Sequence, residues 1–287
     1  MILINYLVGK KIAKLLDIIS LLMLAGGLSV MLSGGGAVFS EHFNVAAWYG
    51  ILIIVFINCW VLLCGLQGVV WVNVILVPLK IIAILLISLL VIRIQNAPAI
   101  INITVQTTEN TYRHWFISGL LYVSYNMILV IAVLSTIGKG ISSKKAVAGG
   151  VLGGLGLGVT AGIMLLAGLT VYPEIKEYKV PMLYMAGIIG AGVKGVMGLL
   201  IWAAILTTTI ANAHGFAARL AEPGSGRYKI IGIGVTLLAM PLARFDFDKL
   251  VAVIYPIFGY AGLLLIIVLI IGPPLKLLRS SILRQGK

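Results

Sequence analysis

Acidic side chains are scarce in this chain, with eight Asp and Glu among 287 residues against 21 Lys and Arg. All eight (Asp17, Glu41, Glu109, Glu174, Glu177, Glu222, Asp246 and Asp248) read as loop or helix-end positions. No carboxylate is therefore expected at mid-membrane depth as a proton relay, an aspartyl catalyst or a divalent-metal ligand. His42, His114 and His214 are far apart and lack the His-Glu-x-x-His spacing of a zinc protease. Cys59 and Cys64, the two cysteines, have no metal-ligand spacing and read as free thiols in or beside an apolar run. There is no nucleophile elbow and no triad pattern. No metal, no cofactor and no enzymatic activity are expected from such a set.

What the chain has in abundance is apolar: 61% of residues are hydrophobic, only 10% are charged, and mean hydropathy is +1.15. This composition specifies an all-α polytopic membrane protein, with the lipid bilayer as its first partner. In a soluble protein the basic excess would suggest nucleic acid. Here it falls mostly between apolar runs, and no nucleic-acid partner is expected.

Eight spans are predicted, at residues 15–39, 48–64, 69–92, 114–138, 146–171, 195–217, 230–242 and 250–271. The first carries a flexible run, Ser33 to Gly36, at its outer end. The last stops at Pro273 and Pro274, and a basic tail occupies 273–287. Thirteen Lys and Arg then fall on one face and six on the other. The positive-inside rule places the richer face, with both termini, in the cytoplasm of a cell-membrane protein. Residues 1–7 are apolar, but Lys10, Lys11 and Lys14 stand where a signal cleavage site should lie, so no cleavable signal is expected.

The fourth span holds Tyr122, Ser124, Tyr125 and Asn126 at its midpoint, and Ser118, Tyr122, Tyr125 and Asn126 share one helical face. An amide and phenols are costly in hydrocarbon unless hydrogen-bonded, so this face should meet protein or a wet cavity. A substrate site and a polar seam between helices both satisfy that requirement. Two other spans place polar groups near the same depth. One offers Thr207, Thr208, Thr209 and Asn212, and the other offers Lys80. Threonines that bond to their own helix and a lysine that snorkels are the structural alternatives. The fifth span concentrates Gly149, Gly150, Gly153, Gly154, Gly156, Gly158 and Gly162. With no preceding strand and no terminal Gly-Lys-Ser/Thr, this is not a phosphate loop; the spacing predicts close helix packing.

Several segments in fixed order resemble the YkvI family of bacterial membrane proteins, within the amino acid–polyamine–organocation superfamily. They are MLSGGGAVF at 31–39, NVILVPL at 73–79, YVSYNMIL at 122–129 and AVAGGVLGGL at 146–155. YPEI at 172–175, VPMLYMA at 180–186 and TTTIANAHGF at 207–216 complete the set. The resemblance implies a fold of two inverted five-helix repeats, with substrate held at the broken first helix of each. The eight spans match helices three to ten of that plan: 1–94 is the remainder of the first repeat and 114–272 the second. The fourth span becomes the broken sixth helix, with its break expected near 123–126. The two helices that would precede, with their Gly-Ala-Gly-Phe-Ala-Ser-Gly-type break, have no counterpart here.

The resemblance further implies a secondary transporter of a small amino-acid-like or organic solute, held by Tyr122, Ser124, Tyr125 and Asn126. Sodium-coupled relatives draw a cation site from the eighth helix, where Thr207, Thr208, Thr209 and Asn212 stand. Some proton-coupled relatives place a lysine of the fifth helix into that site, the position matched by Lys80. Proton coupling with Lys80 beside Thr208 is the expectation, and sodium the alternative ion. The other expectations are a non-transporting receptor subunit related to germinant receptors, and an inactive product of a late start.

Overall fold

The computed structural model describes residues 10–64, 67–95, 115–137 and 142–285. Among the described residues there are nine α-helices and no strand. In chain order they are α1 (Lys10–Phe43), α2 (Ala47–Cys64), α3 (Gln67–Ile94), α4 (Trp115–Ile137), α5 (Ser143–Thr170), α6 (Pro181–Ile189), α7 (Ala191–Leu220), α8 (Gly226–Ala239) and α9 (Phe247–Gln285). Six contain stretches long and apolar enough to cross a bilayer: Asp17–Phe43, Ala47–Cys64, Val72–Ile94, Ser143–Thr170, Ala191–Leu220 and Phe247–Leu264. The chain is an all-α polytopic membrane protein. At 23 residues α4 also has the length to cross. With 14 residues, α8 is about 21 Å long and falls short of the ~30 Å hydrocarbon.

Three elements differ from the sequence reading. The first is α9, which continues through Pro273 and Pro274 to Gln285. Proline removes one backbone donor, a loss that membrane helices tolerate. The second is α6, a nine-residue helix absent from the eight spans. It starts with Pro181 in its first turn, where a missing N–H costs nothing, and ends at Gly190. Gly190 has φ 158° and ψ 160°, a backbone that favours glycine, and α7 starts at the next residue. The third is the run Ser33 to Gly36, which is buried inside α1 rather than flexible. A Cβ at Gly35 would run into Ile54, and one at Gly50 would stand 2.6 Å from the Phe39 Cβ. These glycines let α1 and α2 lie backbone against backbone, so the helix is held by packing that a larger residue would prevent.

The chain divides into two compact units. One takes in Met1–Gly26, Thr107–Gly140 and Leu250–Lys287, and the other Gly27–Gln106 and Ile141–Lys249. In the first, α9 meets α4 through glycines: a Cβ at Gly259 would stand 2.7 Å from the Leu121 Cβ, and one at Gly262 would collide with the Ser124 backbone. Gly26 of α1 likewise lies under the Phe258 ring.

The second unit has a continuous apolar core. Leu76, Ile87 and Val91 of α3 pack with Ala167 and Val171 at the end of α5, with Met182, Met185 and Ala186 of α6, and with Met197 and Leu200 of α7. Here the expected glycine packing of α5 is not what is seen. Each of its seven glycines from Gly149 to Gly162 has nothing within 4 Å of an added Cβ among the described residues. Contact is made instead by Met164 and Ala167 near its C-terminal end and by Val171 just beyond it. Larger apolar side chains gain more dispersion and burial there than bare backbone would.

Candidate functional site

In the first unit α4 is one unbroken helix from Trp115 to Ile137, so the expected break near 123–126 does not occur. No glycine or proline lies between Leu120 and Ile137 to start one. The polar side chains turn back on their own helix: Ser124 Oγ donates to Leu120 O at 2.7 Å, and Asn126 Nδ2 donates to Tyr122 O at 2.8 Å. Each thereby satisfies a donor near the middle of the helix without unwinding the backbone.

The four candidate residues divide by environment. Ser124 is fully buried beneath Gly262 of α9, and is a packing residue. Tyr122 is exposed, while Tyr125 and Asn126 are half-buried. The Tyr122 and Tyr125 rings meet edge to face with centroids 5.4 Å apart, and Tyr125 lies 4.7 Å from the ring of Tyr255 on α9. Three phenols therefore line one contact between two apolar helices. Tyr255 was not singled out from the sequence; its signal was a tyrosine inside an apolar span. Such a cluster can stack on or accept a cationic group through its ring faces and hydrogen-bond an anion through its hydroxyls.

The coupling candidates lie in the second unit. Thr207 Oγ1 and Thr208 Oγ1 both donate to Ala204 O, at 3.1 and 2.8 Å, and Thr209 Oγ1 donates to Ile205 O at 2.8 Å. Their donors are thus used within α7, leaving hydroxyl lone pairs to accept or coordinate. Thr207, Thr209 and Asn212 are buried, whereas Thr208 is exposed. Asn212 packs on Gly27, whose Cβ would stand 3.2 Å from its Nδ2. Lys80 is half-buried on α3, which packs against α7. Among the described residues no hydrogen bond or ion pair joins Lys80 to Thr208. Two residues earlier, Pro78 sits inside the helix and removes the donor that would have bonded the carbonyl one turn back.

Polar contacts that the sequence did not reveal tie the second unit together. Asn58 Nδ2 donates to Thr236 Oγ1 at 2.7 Å, entirely out of solvent. Ser33 Oγ donates to Phe245 O at 2.8 Å. Lys179 works at two points: its backbone N–H donates to Glu41 Oε1 at 2.7 Å, and its ammonium lies 2.8 Å from Asp246 Oδ1. Lys249 holds the other oxygen of Asp246 at 2.9 Å. With two ammonium groups as neighbours, the Asp246 carboxyl is pulled down to about 2. Arg244 lies over the Trp48 ring at 5.0 Å.

Comparison with known proteins turns on overall sequence. Over 265 residues the chain is 28% identical to "Uncharacterized membrane protein YkvI" of Bacillus subtilis, covering 90% of this chain and 73% of that protein. Over 276 residues it is 26% identical to "Uncharacterized protein YyaD" of the same organism, covering 95% of this chain and 78% of that one. The chain is homologous to both proteins. With nine-tenths of the chain aligned, the relationship to YkvI reaches into both units. No family model matches, and no solved structure matches.

Proposed function

We propose that this chain is a secondary-transporter-like protein of the cell membrane, with both termini cytoplasmic. Its solute is a small amino-acid-like or organic molecule, and its coupling ion is the proton. The observation that carries the reading is the cluster of Tyr122, Tyr125 and Tyr255, with Asn126 beside it, inside the apolar stretches of two helices. Phenol hydroxyls and ring faces at that depth are costly unless they serve a polar partner, and an amino-acid-like solute carries both an ammonium for the rings and a carboxylate for the hydroxyls. Lys80 supports the coupling ion, being a half-buried amine within an apolar helix and without an ion-pair partner among the described residues. A neutral amine tolerates such a site better than an ammonium, so loading and unloading a proton there is feasible.

The test is uptake of radiolabelled amino acids into vesicles containing the protein. Uptake should follow an inward proton gradient, ignore sodium, and lose its pH dependence in Lys80→Ala. Sodium-stimulated uptake that survives Lys80→Ala would overturn the coupling, and an absence of uptake for every solute class would overturn transport.

A further inference from the structure

Helix α2 carries no Lys, Arg, Asp or Glu, and its 18 residues make it about 27 Å long. That nearly matches the ~30 Å of bilayer hydrocarbon, so its first turn lies where lipid tails give way to headgroups. Trp48 stands in that turn, and Tyr49 beside it is 60% exposed. Indole and phenol rings favour this boundary, because one end of each is apolar and the other is wet.

Over the Trp48 ring lies Arg244, its guanidinium carbon 5.0 Å from the ring centroid. The turn that delivers it is fixed on both sides. Ala243 is buried, the Arg244 N–H donates to Pro241 O at 3.4 Å, and Ser33 Oγ donates to Phe245 O at 2.8 Å. A guanidinium whose face rests on a ring keeps the N–H donors of its edge for another partner. Neighbouring acids do not take them. Asp246 gives one oxygen to Lys179 at 2.8 Å and the other to Lys249 at 2.9 Å, while Asp248 is exposed next to Lys249 in the first turn of α9. Arg244 itself is exposed and has no ion-pair partner among the described residues.

We propose that Arg244, seated on Trp48, is a binding site for the phosphate of a membrane phospholipid. The two free oxygens of a phosphodiester match the planar fork of a guanidinium, which an ammonium cannot imitate. Depth supplies the source, since the end of a helix that just crosses the hydrocarbon stands among headgroup phosphates. Tyr49 and Phe245, the sequence neighbours of the pair, are each 60% exposed and offer apolar surface to the glycerol and the upper acyl chains. A free phosphate ester shares the oxygen chemistry but gains nothing from those rings. The site belongs to the second unit and does not depend on the transport reading.

The full chain, delipidated in maltoside detergent and titrated with phosphatidylglycerol, tests the proposal by native mass spectrometry. The first lipid retained should saturate, and diacylglycerol with the same chains should not displace it. Arg244→Gln should weaken its retention by about 2- to 12-fold. Lys176→Gln makes the same change in charge elsewhere in the second unit and should leave retention unaltered. Should Arg244→Gln fail to fold, Arg244→Lys, which keeps the charge but loses the fork, decides in its place with a loss in the same direction. Unchanged retention in the Arg244 variant that folds, or an equal loss in Lys176→Gln, would overturn the site. Displacement by diacylglycerol would overturn phosphate recognition, and displacement by millimolar glycerol 3-phosphate would overturn the lipid as its source.

Discussion

Asn58 of α2 and Thr236 of α8 form a hydrogen bond sealed from solvent, and Thr236 passes its own hydroxyl hydrogen to Gly232 O at 2.7 Å. The Asn58 Oδ1 is buried with no partner among the described residues. This pair is therefore highly sensitive to the loss of one member. Thr236→Val should leave the amide without either bond and lower stability by about 1–3 kcal/mol. The double variant Asn58→Leu, Thr236→Val should recover a large part of that loss, because both polar groups leave together. Thermal unfolding of the two variants in detergent measures it.

Close approach of α1 and α2 gives the second expectation. Gly50→Ala places a methyl group against the Phe39 Cβ and 3.0 Å from Gly35 O, contacts that only a shift of one helix can relieve. The expected cost is about 1–3 kcal/mol, as for overpacking elsewhere. Gly153→Ala on α5 should cost nothing and, by helix propensity, gain up to about 1 kcal/mol. The contrast between the two unfolding curves is the measurement.

The third concerns acid. Asp246 titrates near 2 in the folded protein because Lys179 and Lys249 hold its two oxygens, against an ordinary value of 3.8. A carboxyl lowered on folding adds stability that is present above the unfolded value and lost as pH falls through the folded one. The contribution of this cluster should therefore be intact above about pH 4 and fade between about pH 4 and pH 2. Asp246→Asn should flatten that part of the profile while leaving the remainder in place. Unfolding midpoints of the two proteins across this range check it.

The fourth lies at the joint between α6 and α7. Gly190 adopts φ 158° and ψ 160°, so Gly190→Ala forces a side chain into backbone space that it rarely enters. A cost of about 1–3 kcal/mol is expected, although nothing lies within 4 Å of the added methyl. Limited proteolysis should show faster cutting near residue 190 in the variant than in the parent.

The sequence made the helices legible because long apolar runs have few alternatives in a bilayer. It was less informative wherever two distant segments had to meet. The polar centre of α4 was visible as Tyr122 to Asn126, but its third phenol, Tyr255, lies more than a hundred residues away, and no spacing rule joins it to the other two. The break expected there failed because Ser124 and Asn126 could satisfy themselves on their own helix, an outcome that spacing does not distinguish from unwinding. Glycine content misled in both directions: the seven glycines of α5 suggested packing, yet an added Cβ on any of them has nothing within 4 Å among the described residues, while Gly35, read as part of a flexible run, is packed against Ile54 of α2. Composition records that a side chain is absent, not which neighbour uses the room.

The bond from Lys179 to Glu41 uses the main chain of Lys179, whereas its bond to Asp246 uses the side chain. Position 179 can therefore change identity and still keep its segment tethered to the end of α1, with proline the one residue that cuts the tether. Its partner has no such latitude. Variation at 179 resets only the link to Asp246, while the attachment itself is encoded 138 residues earlier, in the carboxylate of Glu41.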